Sequence, residues 1–126
     1  GFISLATAIL NGGTVTNGTL NVSDTIDARS GSISAQLTGA ASLTKTTSGI
    51  VELGGDSGYT GSTFILGGLL RVTGSLSGGG IVNVEPGGTL GGTGTIGGLT
   101  NLLAGGTLAP GASPGTLTFT AELALE

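Results

Sequence analysis

The sequence predicts an all-β fold, a parallel β-helix or β-solenoid with about 18–22 residues per coil, forming a single domain over residues 1–126. Three observations carry this expectation. Between Leu43 and Leu70 the chain reads LTKTTSGIVELGGDSGYTGSTFILGGLL, in which short apolar pairs alternate with Gly-Thr and Gly-Gly corners and nothing has helical period. The 126 residues include 28 glycines but only four aromatics (Phe2, Tyr59, Phe64 and Phe119), so a core must be repetitive and aliphatic. Finally, Val84, Leu90, Ile96, Leu102 and Leu108 recur at a step of six, with Gly78 in the preceding place. Six residues is a short strand plus its corner, and three such sides close a coil.

Taken in order, Gly13-Thr14-Val15, Gly18 to Val22 and Ile33 to Leu37 read as strands, with Asn11-Gly12, Asn17-Gly18 and Ser30-Gly31 as turns. The stretch Ser23 to Arg29 holds three of the ten charges and is expected to leave the coil as an excursion. From Leu43 onward the strand and corner signals are continuous. Gly-Gly-Thr-Leu at 87–90 returns at 105–108, an offset of 18, which would lay like residues over like and bury an aliphatic ladder. The two prolines in Pro110 to Gly115 cannot donate to a ladder and confine that stretch to a corner or loop.

Composition also excludes chemistry. Three cations (Arg29, Lys45, Arg71) against seven carboxylates give a net charge of −4, which cannot make the clustered basic footprint of a nucleic-acid binder. With no His, Cys, Met or Trp there is no thiolate or imidazole metal site and no histidine base, so no cofactor and no metal is expected. No apolar run reaches the roughly 18 residues of a membrane span. Gly1 in place of an initiating Met is read as a processed product or a piece of a larger chain.

Within this frame Leu43-Thr44-Lys45, Gly49, Val51, Leu53, Tyr59-Thr60-Gly61, Thr63, Ile65, Gly68 and Leu70 form a recognisable series. It resembles the autotransporter-associated β-strand repeat, or passenger-associated transport repeat, of exported bacterial surface proteins. Gly87 to Gly94, Leu108 to Gly111 and Ser113 to Leu117 look like the segment that usually follows that repeat, so the likeness spans about residues 38 to 120. It implies a right-handed coil lying outside the cell, the stalk of a passenger whose export is helped by its own folding; from the residues alone, either hand fits. Thr47 stands where the family tends to have Gly, and Ser57 where it favours Asn.

A second departure bears on partners. Ile50, Phe64, Leu66, Leu69, Ile81, Leu99 and Leu103 sit at alternation positions that should point outward. Taken modulo 18, Phe64, Ile81 and Leu99 fall close to one column and Ile50, Leu69 and Leu103 close to another. Two exterior apolar stripes mark a contact surface, so the expected partner is a second copy, end to end or side by side, or a neighbouring segment of the parent chain.

Other motifs weigh less. Gly92 to Gly97 matches G-x-G-x-x-G, which binds dinucleotides only ahead of a helix, and no helix follows. Gly54 to Gly58 hints at a calcium turn but occurs once, and a lone turn supplies too few oxygens. The six-residue step also resembles the hexapeptide repeat of left-handed β-helix acyltransferases, without the histidine their chemistry needs. Threonine pairs 14/16, 93/95 and 118/120 fall on different sides of an 18-residue coil, which argues against an ice-binding face. Tyr59 is expected to cap the aliphatic ladder at a corner and to hydrogen-bond outward. Three functions remain: a non-catalytic stalk or adhesin segment at the cell surface, a self-assembling extracellular fibre subunit, or a carbohydrate-active β-helix motivated by the carboxylates of Asp24 and Asp27.

Overall fold

The computed structural model describes residues 2–109 and 117–125, and the corner expected at Pro110 to Gly115 lies outside them. The first two coils are each one long bent strand, β1 (Phe2–Val15) and β2 (Thr19–Ile33). The third holds β3 (Gln36–Thr38), β4 (Ser42–Lys45) and β5 (Ile50–Leu53). The fourth holds β6 (Asp56–Ser57), β7 (Thr63–Ile65) and β8 (Gly68–Val72). The fifth holds β9 (Ser75–Leu76), β10 (Val82–Val84) and β11 (Gly88–Gly92). The sixth holds β12 (Thr95–Ile96), β13 (Thr100–Leu102) and β14 (Thr107–Ala109), after which β15 (Thr118–Phe119) and β16 (Leu123–Leu125) continue two of the ladders. Every pairing among the described residues is parallel, and the described residues contain no helix. The fold is therefore a parallel β-solenoid of about six coils.

Three ladders run the length of the coil. Face A stacks the start of β2 under β3, β6, β9, β12 and β15; face B stacks its middle under β4, β7, β10, β13 and β16. Face C stacks its end under β5, β8, β11 and β14. Alternation then sends every second side chain inward. On face C, Val51, Leu70 and Leu90 are in register, each fully buried. On face A the inward column is Leu20, Leu37, Ser57, Leu76, Ile96 and Phe119. No single coil could bury these residues, since each side chain is covered only by the coils above and below it.

The six-residue step is real: Val84, Leu90 and Ile96 are fully buried on successive faces, and Leu102 and Leu108 pack against the same core. The coil length is less regular than an 18-residue repeat. It takes 17 residues from Thr19 to Gln36, 20 from Leu43 to Thr63, 18 from Leu90 to Leu108 and 23 from Thr100 to Leu123.

Three expectations fail. Asn11-Gly12 and Ser30-Gly31 are not turns between strands but lie inside β1 and β2, at register shifts of their pairing. Ser23 to Arg29 does not leave the coil: Thr25, Ile26 and Asp27 pair with Ser42, Leu43 and Thr44, and Ile26 and Ala28 are buried. The three charges simply occupy the outer side, and against β1 the irregularity is two extra residues in β2, one between Val22 and Thr25 and one between Ala28 and Ser30. Ile33 to Leu37 is not one strand, because Ser34 and Ala35 form the corner between faces C and A. The Asn17-Gly18 turn stands as expected, both residues at positive φ (62° and 81°).

The corners explain much of the glycine content, by space more than by dihedral freedom. Before face B, Ala41, Gly61, Gly80 and Gly98 stack coil upon coil, and a Cβ on each of the glycines would overlap a backbone carbonyl beneath it. Before face A, Gly55, Gly74 and Gly94 do the same.

Candidate functional site

Inside the coil, the buried polar side chains are structural. Tyr59 is buried, and its hydroxyl meets the Thr63 hydroxyl at 2.7 Å within the core. The expectation of an outward hydrogen bond is thus reversed, because the corner turns the ring under face B. Burial pushes the phenol well above its ordinary value of 10.0, with the Thr63 contact offsetting a smaller part. Tyr59 is the chain's single tyrosine, so its ionisation reports on folding directly. Above pH 10.0 the unfolded chain releases the phenolic proton and the folded chain retains it, so stability falls as pH rises. In an alkaline titration, tyrosinate absorbance should appear together with loss of the β-sheet circular dichroism. Tyrosinate forming while the sheet signal stays intact would refute this burial.

Lys45 is the other unusual residue. Alternation in β4 puts Leu43 inward, Thr44 outward and Lys45 inward, and the Lys45 side chain is fully buried. Its ammonium donates to the Thr47 carbonyl, to Thr47 Oγ1 at 3.2 Å and to the Gly67 carbonyl at 3.4 Å. The Thr47 hydroxyl in turn donates to the Arg29 carbonyl at 2.6 Å. Lys45 and Thr47 together tie three successive coils at the corner between faces B and C. Burial pulls the ammonium below its ordinary 10.5.

The carboxylates considered for sugar chemistry lie on the outer side of β2. Asp27 is held by Arg29 at 2.9 Å and Asp24 is exposed. A recess of about 290 Å³ lies elsewhere, at the corner between faces C and A, lined by Ile3, Val15, Thr16, Leu20 and Ala35 among others. Its walls carry no acid or base. Among the described residues no three of His, Cys, Asp and Glu come together. Asp56, in the glycine-aspartate turn, accepts from Ser75 Oγ at 2.9 Å and Ser77 Oγ at 2.7 Å, and these bonds, Ser77's first, hold its pKa below 3.8.

The outer surface is where the chain departs from a bland solenoid. Ile50 is 56% exposed, Leu66 45%, Ile81 41% and Phe64 36%, while Leu69, Leu99 and Leu103 are half-buried. Ile50 and Leu69 are directly paired on face C. Ile81 and Leu99 precede the paired Val82 and Thr100 on face B, and Phe64, paired with Asn83, stands two positions along the same face. Leu103 does not join Ile50 and Leu69. It follows Leu102, as Leu66 follows Ile65 and Glu85 follows Val84, so it stands in the column of Leu66 at the corner. The coils here span 18 to 20 residues, and that drift moves Leu103 off the column an 18-residue period assigns to it.

Polar ladders fill the rest. On face B, Asn101 Nδ2 donates to Asn83 Oδ1 at 3.1 Å across one coil. On face A, Thr95 pairs with Ser75 and Thr118, so Thr95 and Thr118 share a face that the 18-residue period separates. That outer column also carries Gln36 and Asp56 and is not a uniform threonine row. The Gly92 to Gly97 motif leads into β12, not a helix, so it lacks the helix N-terminus that a pyrophosphate needs.

No family model matches the chain, and no solved structure does. Over 90 residues, 69% of its length, it is 40% identical to the adhesin BmaC autotransporter of Brucella suis biovar 1 (strain 1330), and it spans about 3% of that protein's length. The solenoid is thus similar in sequence to one short stretch of a large autotransporter adhesin, which supports an autotransporter-related origin for the chain.

Proposed function

We propose that the chain is a non-catalytic rod segment of an exported bacterial cell-surface protein, part of the stalk of an autotransporter-like passenger. One observation carries the reading: a parallel coil over the described residues, its interior filled by stacked aliphatics, in a chain 40% identical over 90 residues to an autotransporter adhesin. Such a coil is extended by adding rungs, and its backbone ladders give length without a large globular core. Any adhesive ligand belongs to the parent protein as a whole. To test the reading, antibodies against the folded solenoid are applied to intact cells making the parent protein. Labelling of intact cells is expected, and labelling only after permeabilisation would reject it.

A self-assembling fibre subunit is the second reading, favoured by the exposed Phe64, Leu66 and Ile81 along face B and its corner. Electron microscopy of the purified chain at high concentration separates the two, since discrete short particles would count against the fibre.

A further inference from the structure

We infer that face C carries a self-complementary patch through which two copies of this chain pair about a two-fold axis. The patch is a block of four outward residues on two neighbouring coils. Ile50 pairs with Leu69, and two positions further along the same strands Glu52 pairs with Arg71. Within one copy Arg71 Nε lies 3.5 Å from a Glu52 oxygen, and both side chains remain over two-fifths exposed. An exposed pair of this kind contributes little to folding and leaves both ends able to reach outward.

The order of the four residues selects the second copy as occupant. Consider a two-fold axis that runs parallel to the strands, midway between β5 and β8 and above the sheet. It reverses the order of the coils and preserves the direction along the strand. Glu52 then faces Arg71 of the other copy, Arg71 faces its Glu52, and Ile50 faces Leu69 in both senses. A two-fold axis along the coil instead sets Ile50 against Glu52, an apolar group against a charge. Only the first arrangement matches charge to opposite charge and apolar to apolar, which is what an isologous contact requires. The coils on either side keep a low profile: Ser32 pairs with Glu52 from below and Gly91 with Arg71 from above, so neither holds the two faces apart. The patch covers two coils and belongs with small, weak and transient interfaces. It does not depend on the export route proposed above, and its partner is a second solenoid in any setting.

Sedimentation equilibrium of the purified 126-residue chain tests it with five samples. The wild-type chain should associate reversibly to a dimer. E52R and R71E should each raise the dissociation constant by about ten-fold or more, since each places like charges opposite one another twice. An equimolar mixture of E52R and R71E should dimerise as well as wild type, because one copy then presents two cations and the other two anions. The double swap E52R/R71E should recover association on its own. Circular dichroism establishes that each variant is folded; should a single variant fail to fold, the double swap and I50S, which should weaken pairing with the charges intact, carry the test. A wild-type chain that stays monomeric, single variants that associate like wild type, or a mixture no better than its components would each overturn the inference.

Discussion

Replacing Gly80 by Val should destabilise the coil by at least about 3 kcal/mol, because the new Cβ would sit inside contact distance of the Gly61 carbonyl oxygen and no side chain there can move aside. The obstruction is backbone, and Gly61 is itself pressed against the Ala41 carbonyl, so relief at one coil transmits to the next. Two other glycines separate space from dihedral freedom. Gly79 has φ of +83° and nothing within 4 Å of a new Cβ, so Gly79→Ala should cost only about 1 kcal/mol, from the left-handed backbone alone. Gly13 has neither obstacle, and Gly13→Ala should be neutral or stabilising by about 0.5 kcal/mol. Urea unfolding of the three variants checks the order, and a Gly80→Val chain as stable as Gly13→Ala would remove the stacked-corner explanation.

The second large effect is expected at Lys45. Lys45→Ala removes a buried aliphatic stem next to Ile65 and strips donors from the Thr47 and Gly67 carbonyls, a loss of about 2–4 kcal/mol. Lys45→Met keeps most of the volume and should lose about half of that, from the unpaired carbonyls alone. The pH dependence gives a separate check. The folded pKa is depressed below 10.5, so in the window between the two values the unfolded chain binds more protons and stability rises with pH. The deficit of Lys45→Met relative to wild type should therefore widen as pH climbs toward 10.5. A deficit that shrinks over that range would mean that the hydrogen bonds to carbonyls outweigh desolvation.

Much of this architecture is legible in the residues. Alternation in Ile50 to Leu53 and Leu69 to Val72 reads directly as outward and inward positions, and the step from Val84 to Leu90 to Ile96 marks successive faces. Register is harder. A drift of one or two residues between coils displaces a column, which is why Ile50 and Leu69 meet as expected while Leu103 stands over Leu66 and Glu85. Charge misleads in β2, where Asp24, Asp27 and Arg29 suggest a loop but sit on the wet side of a strand whose Ile26 and Ala28 face the core. Lys45 misleads in the opposite sense. The alternation Leu43-Thr44-Lys45 points it inward, and only the carbonyls at the corner, invisible in the sequence, make that position tenable for an ammonium. The Glu52 and Arg71 pair is likewise hidden, since nothing but the register of β5 on β8 brings two charges 19 residues apart side by side.

Successive coils lie parallel and in register, an arrangement that backbone nuclear Overhauser contacts report. Contacts linking Val51 to Leu70 and Leu70 to Leu90 are expected, in the evenly spaced pattern of parallel strands and without short contacts between opposing α-protons. Close α-proton pairs between neighbouring strands, the mark of antiparallel hairpins, would contradict it.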